Sequence, residues 1–421
     1  MKIKKPQREV SIQESMATVF DLSQEKFDIL RGFSDGKYIP YEDFQFAIAG
    51  EFTKADSVIL WPFVRFLRER MRMESPVKNP LDQFFTYNKL KYCDQLLHEI
   101  DMQFGRQDII TKMPLHGNLS EKELILNSLI EEAIASSQIE GAITTRENAK
   151  EMLKTGRKPR NQSEQMIGNN FEVIKNIEEE WCQKPLNRSL LFEIHKKLVG
   201  KTRNDWENII GRFRSDEENI VVQNSLSGEV YHTPPLAAFM EKEIDRLLEF
   251  ANSKENIPFV HPLIKAIILH FWIGYLHPFV DGNGRLARAL FYWSMLNSGY
   301  TFFGYLPISR VIKKAKLQYC MAYVNTEQDH NDLTYFLDFN LKKVSQAIEE
   351  FRIYIDKKQE TQKNLVEDGL KFGLNNRQMA GLLYLKKESG KTLNINIYKS
   401  LTQSSLPTAI KDLKELEVKK L

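Results

Sequence analysis

Apolar residues recur at three- and four-residue steps along most of this chain, the spacing of helices with one buried face. The clearest case is "SEKELILNSLIEEAIASSQIEGA", where Ser120 is the expected N-cap, Glu121 and Glu123 favour the first turn, and Gly141 is the natural stop. "SEQMIGNNFEVIKNIEEEW", "NRSLLFEIHKKLV" and "LAAFMEKEIDRLLEFAN" read the same way. Two all-apolar stretches, "IKAIILHFWIGY" and "LFYWSMLNSGY", predict buried helices. Toward the N-terminus, "SVILWPFVRFLRERM" and "LDQFFTYNKLKYCDQLLHEIDMQF" predict amphipathic helices, and "FSDGKYIPYEDF" predicts loop and turn.

One region breaks the rhythm. "NIVVQNSLSGEVYHTPP" carries two β-prone pieces, Asn219–Val222 and Glu229–Tyr231, around a turn rich in Asn, Ser and Gly, closed by Pro234 and Pro235. That is a hairpin signal, and a lone hairpin must lie against something or wait for a partner. The last fifty residues read as helix, then helix, short turn, helix, with Pro407 near the start of the final one. The pattern predicts a mainly α fold.

Composition narrows the class. The 421 residues are 42% hydrophobic, enough for two or three units, and the net charge of +3 points to neither a nucleic acid nor an acidic membrane. No apolar run is long enough to cross a bilayer, and no secretory signal follows the basic start. Cys93, Cys182 and Cys320 are odd in number, far apart and without CxxC spacing. A reduced cytoplasmic protein without structural zinc is expected.

Between the two buried helices lies "LHPFVDGNGRLARAL". Gly282, Asn283 and Gly284 permit turns whose N–H groups converge on an anion, at a helix start that adds free donors and positive dipole. Arg285 and Arg288 stand three residues apart on one face. Asp281 supplies a carboxylate, and magnesium needs only one or two from a protein when phosphates complete its shell. His277 is placed as a general base, and Phe279 as the loop's inward anchor. A tight interhelical connection would explain each residue singly; together they fit transfer of a phosphoryl-type group to a nucleophile. "LVGKTR" and "ESGKTL" are not P-loops, because His195 and Leu385 stand where the required glycine would be. His261 is expected to start a helix before Pro262, and His270 to be packed.

"HPFVDGNGRLAR", His277 to Arg288, resembles the signature of Fic-domain proteins, His-Pro-Phe-x-Asp/Glu-Gly-Asn-Gly-Arg-x-x-Arg, without departure. The resemblance implies a helical Fic core and transfer of AMP from ATP to a Ser, Thr or Tyr hydroxyl of a target protein, with His277 as base and Asp281 as Mg2+ ligand. It implies that Gly282, Asn283 and Gly284 cradle the phosphates while Arg285 and Arg288 hold the β- and γ-phosphates. Relatives that move a phosphate usually carry lysine where Gly284 stands here.

"SSQIEG", Ser136 to Gly141, is similar to the family's inhibitory helix, which implies that Glu140 pairs with Arg288 and blocks the productive pose of ATP. The hairpin takes the place of the family's flap, implying target binding by strand addition at Ile220, Val221, Val222 and Tyr231. Tyr319 stands where relatives often place an aromatic near adenine, although a core tyrosine on an amphipathic helix reads equally well. The C-terminal unit resembles a winged helix whose wing is short or missing. Lys399, Lys411 and Lys414 could face DNA, but an intramolecular or homodimer contact fits scattered lysines better.

The expected division is a helical N-terminal arm over 1–110, a Fic domain over 111–350 with its inhibitory helix at about 121–140 and flap at about 214–235, and a helix-turn-helix unit over 365–421. Two rival readings remain: a hydrolase that removes AMP with the help of Glu140, and a nucleotide-sensing DNA-binding regulator.

Overall fold

The computed structural model describes residues 3–104, 121–224, 227–254, 258–387 and 392–419. Ser120, the expected N-cap, lies outside them. The chain forms two compact units, one of residues 1–113 and 121–348 and one built on 349–421. Among the described residues the secondary structure is helical apart from two two-stranded antiparallel sheets and one isolated bridge.

The centre of the first unit is the pair of helices Pro262–Leu276 and Asn283–Asn297, packed on each other. Every residue of the first is buried except Pro262 and Gly274. A helix apolar all round belongs inside a protein, so this pair takes the middle and the amphipathic helices surround it. His261 starts the first of the two: its Nδ1 accepts the N–H of Leu263 at 3.1 Å, and Pro262 follows at the first position, where no N–H is needed.

The helix Glu121–Ile139, here the Glu140 helix, packs on Gln162–Glu179 and Ile308–Lys314. Leu129, Ile130, Ala133 and Ile134 share a core with Ala149, Met152, Ile167, Phe171 and Ile174. A buried carboxylate pins it further. Glu132 accepts from the Ser309 N–H, the Ser309 hydroxyl and the Tyr292 hydroxyl. Burial pushes the Glu132 carboxyl up despite these donors.

The N-terminal residues build their own core on the helices Ile12–Phe20, Gln24–Asp35, Tyr41–Ala47 and Lys54–Arg70, with Leu30, Phe44, Leu60 and Val64 at its middle. Arg68 ties this layer to the rest. Its guanidinium donates to the carbonyls of Phe33 and Ile39 and, at 3.0 Å, to the Tyr335 hydroxyl, over the face of Tyr38.

Two expectations need correction here. "LDQFFTYNKLKYCDQLLHEIDMQF" is not one helix: Phe84–Tyr87 is a strand paired with Met73–Lys78, and the helix is only Lys91–Phe104. Phe-Phe-Thr-Tyr is strongly β-prone, and Thr86 also pairs with Asn331 and Leu333 through its backbone. "FSDGKYIPYEDF" is loop only at its middle, because its ends belong to the helices Gln24–Asp35 and Tyr41–Ala47.

The second unit contains the helices Asn376–Lys387, Ile395–Thr402 and Leu406–Val418. A carboxylate is buried among Tyr398, Ala409 and Leu416. Asp412 accepts from Asn375, Arg377 and the Tyr398 hydroxyl. No strand occurs among its described residues, so a wing hairpin is not part of what is seen.

Candidate active site

The six residues joining the two central helices form the site. His277 caps the first helix in a left-handed conformation, φ 47° and ψ 57°. Its N–H returns to the Ile273 carbonyl, and its Nδ1 lies 3.1 Å from the Gly274 carbonyl. A carbonyl can only accept, so Nδ1 carries the proton and Nε2 is left with its lone pair. Burial pushes the imidazole down to about 4, the nearby His232 and Arg214 acting in the same sense. His277 is therefore a neutral acceptor at physiological pH.

The rest of the loop is held rigidly. Phe279 is fully buried and stacks on the His195 ring at 3.7 Å with an interplanar angle of 8°. Asn283 closes the turn, its amide donating to the Phe279 carbonyl and accepting the Phe279 N–H. The side chain of Asn283 thus shapes the loop, and any contact it makes with an anion comes through its backbone. Gly282 has φ 87°, where a side chain is strained, and starts the second helix.

The two arginines differ in their engagements. Arg285 has no exposed side-chain surface; it donates to the Leu198 carbonyl at 2.8 Å and reaches Asp281 at 3.3 Å. Arg288 donates to Ser136 Oγ and O and, at 2.8 Å, to Glu140 Oε1. Burial pushes the Glu140 carboxyl up, but Arg288, with Arg285 and Lys316, outweighs this and holds it below the ordinary range. A third of the Glu140 side chain is open to solvent, which screens part of that attraction.

Glu140 lies just past the end of its helix, before Gly141 at φ 98°. Lys313 donates to Gln138 Oε1 at 2.6 Å and Lys316 to the Ile139 carbonyl at 2.5 Å, cations where a helix C-terminus favours them. The carboxylate rests against Gly284: a β-carbon there would come within 2.7 Å of the Glu140 carboxyl carbon. Gly284 is thus the residue that lets Glu140 enter the loop.

Asp281 is partly open, with 35% of its side chain exposed, and its Oδ1 accepts the Gly282 N–H at 2.6 Å. Among the described residues no three His, Cys, Asp or Glu side chains gather to hold a metal by themselves. A single accessible carboxylate beside free N–H groups fits a magnesium ion that arrives with a triphosphate.

The comparisons agree on this segment. Residues 185–295 match the Fic/DOC family. The chain carries a Fic domain. It is 24% identical over 289 residues to the protein adenylyltransferase Fic of Nematostella vectensis, covering 65% of this chain and 61% of that protein. It is 35% identical over 69 residues to the namesake in Drosophila erecta, which is 16% of this chain and 14% of that one. The chain thus spans about three-fifths of the Nematostella protein. A solved Fic family protein from Desulfovibrio desulfuricans shares the fold, with a TM-score of 0.53 at 21% identity over 79% of this chain and 91% of that one.

Beside the Fic loop the hairpin is shorter than expected. Its strands are Val222–Gln223 and Val230–His232, in register Val222 to His232 and Gln223 to Val230. Ile220 and Val221 precede the first strand because Asn219, at φ 48°, ends a 3-10 turn over Asp216–Glu218. Val221 and Val230 are exposed, and the Tyr231 hydroxyl accepts from the Asn224 amide. Tyr319 is buried, its hydroxyl 2.7 Å from His270 Nε2, within a cluster of Tyr323 and Phe336.

Three side chains of the Fic site escaped the sequence reading. Arg214 donates to the carbonyls of His277 and Leu276, His232 meets the Tyr275 carbonyl, and His195 meets the Asp281 carbonyl at 2.9 Å. All three act on backbone atoms distant in sequence, which no spacing rule reveals. The one available signal was a pair of basic residues flanking a predicted hairpin.

Proposed function

We propose that the protein is a Mg2+-dependent protein adenylyltransferase that moves AMP from ATP to a Ser, Thr or Tyr hydroxyl of a target protein and is restrained by Glu140. The observation that carries this reading is the loop itself: one neutral imidazole with a free Nε2, one accessible carboxylate, a glycine-lined helix start and Arg288 converge within twelve residues.

His277 Nε2 would take the proton of the incoming hydroxyl as its oxygen bonds to the α-phosphorus of ATP. The bond from that phosphorus to the bridging oxygen breaks, and pyrophosphate leaves. Magnesium, held by Asp281 and phosphate oxygens, would supply charge neutralisation on the leaving group. The backbone of Asn283 and Gly284 offers N–H donors to the phosphates, with that of Gly282 joining them once it leaves Asp281, and Arg288, once free of Glu140, offers its fork to the γ-phosphate. Arg285 would add positive charge to the same site, with Asp281 and Leu198 as its present partners. The exposed edge beside Val221 and Val230 suits strand addition by a target segment.

ATP carrying a labelled α-phosphate tests the reading. Label should enter the protein or a partner, rise in Glu140→Gly and vanish in His277→Ala. Label that persists in His277→Ala rejects the mechanism.

A second reading rests on the same carboxylate. Glu140 is held within the loop against Gly284, where it could orient water toward an AMP-modified hydroxyl. A pre-modified target separates the two: Glu140→Gly abolishes AMP removal if Glu140 orients water, and leaves it unchanged if Glu140 only inhibits.

A further inference from the structure

The C-terminal end of the helix Pro262–Leu276 leaves its last carbonyls without partners inside the helix. Side chains at the two roots of the hairpin take most of them. Arg214, just before the hairpin, donates through Nε to the His277 carbonyl at 2.8 Å and through Nη2 to the Leu276 carbonyl at 3.3 Å. The same Nη2 also donates to the Pro235 carbonyl at the far root, and the Arg214 N–H donates to the Pro278 carbonyl at 2.9 Å. His232, on the second strand, meets the Tyr275 carbonyl through Nε2 and Glu327 through Nδ1, both at 2.7 Å. Its ring lies 6.5 Å from that of His277.

Arg214 is 5% exposed and His232 7%, so neither contact is a chance surface pairing. Four consecutive carbonyls, Tyr275 to Pro278, are thus held from the hairpin. His277, the third residue of that run, has a left-handed backbone conformation that non-glycine residues adopt uncommonly.

We propose that Arg214 and His232 are positioning residues for His277, which clamp the hairpin roots onto the carbonyls around the base so that hairpin and imidazole move as one piece. The proposal rests on the adenylyl-transfer reading of the same site. It follows that what docks on the hairpin also sets the reach of the base. Neither side chain touches the reacting atoms. Loss of the clamp should therefore lower the rate of transfer rather than the binding of ATP.

The test uses the full chain in a Glu140→Gly background, with labelled ATP and intact mass as readouts. No adduct in Glu140→Gly alone would reject the adenylyl-transfer reading and not this proposal. Given activity there, Arg214→Gln should lower kcat about tenfold or more, with the KM for ATP kept within about twofold. The charged and titratable groups facing His277 are Arg214, His232 and Glu140. Removing the Arg214 cation should therefore move the acidic limb of the kcat/KM profile to higher pH, a shift that a purely structural role would not give. Arg214→Lys, which keeps charge and one or two donors, should lose less.

A second pair guards against misfolding of the Arg214 variants. Glu327→Gln keeps a hydrogen bond to the His232 ring, its amide donating to Nδ1 where the carboxylate accepts from it, and should lose less activity than Glu327→Ala, which leaves the ring untethered. Unchanged kcat and pH limb in folded Arg214→Gln, or equal activity in the two Glu327 variants, overturns the proposal.

Discussion

Glu140 Oε1 lies 2.8 Å from Arg288 Nη2, while the same carboxylate fills the space over Gly284. One side chain thus withdraws a cation from the site and occupies part of the volume a phosphate would need. Two distinct costs follow for a triphosphate: a competed guanidinium and a facing negative charge.

Glu140→Gln relieves both costs. The amide keeps the shape but neither neutralises Arg288 nor repels an anion. The affinity for ATP, measured by calorimetry with magnesium, should rise by about tenfold to 150-fold, the range of about 1.5–3 kcal/mol for a hydrogen bond to a charged group. Equal affinity in both proteins would show that Glu140 does not oppose the nucleotide.

Gly284→Ala should act through Glu140. In the natural background the new methyl displaces the carboxylate, and thermal stability falls. In a Glu140→Gly background the space is open, and most of that fall disappears. The coupling should be about 1 kcal/mol in a double-mutant cycle read by denaturant unfolding. Additive effects would mean that the two residues do not compete for the same space.

Arg68→Met should destabilise the first unit by about 3 kcal/mol, because the buried carbonyls of Phe33 and Ile39 lose their donors. Arg68→Lys, which can still reach one of them, should cost less. Urea midpoints of the three proteins measure this, and wild-type midpoints in Arg68→Met would show the N-terminal layer to be held by its apolar core alone.

Burial pushes His270 down to about 3 from an ordinary 6.5. The unfolded chain therefore takes up a proton there once pH falls below 6.5, while the folded protein stays neutral until about 3. Stability attributable to this group is full above pH 6.5 and declines as pH drops toward 3. From pH 7 to 5 the loss is about 2 kcal/mol. His270→Phe should flatten the pH dependence of the urea midpoint between those values by that amount, and an unchanged slope would refute the assignment.

The chemistry of the loop was legible in the sequence because it is local. His277, Asp281, Gly282, Gly284 and Arg288 fall on one turn and the start of one helix, so their spacing alone brings them together. Glu140 was legible only through family likeness, since a glutamate after a helix carries no message by itself. The buried helices announced themselves by apolar residues on every face. Residues 84–87 were misread despite their β-prone side chains, because four residues beside a helical pattern become a strand only through the partner they pair with.

By itself the sequence determined where the two central helices run, where the turn between them falls and which groups that turn presents, since these depend on neighbours within a few residues. Only the tertiary structure decided that Glu140 fills the space beside Gly284, that Arg285 is braced against Leu198 and that Tyr319 lies in the core. It alone brought Arg214 and His232 to the carbonyls around His277. Those contacts join atoms 43 to 148 residues apart, many of them backbone carbonyls that every residue possesses, and folding alone selects which of them meet.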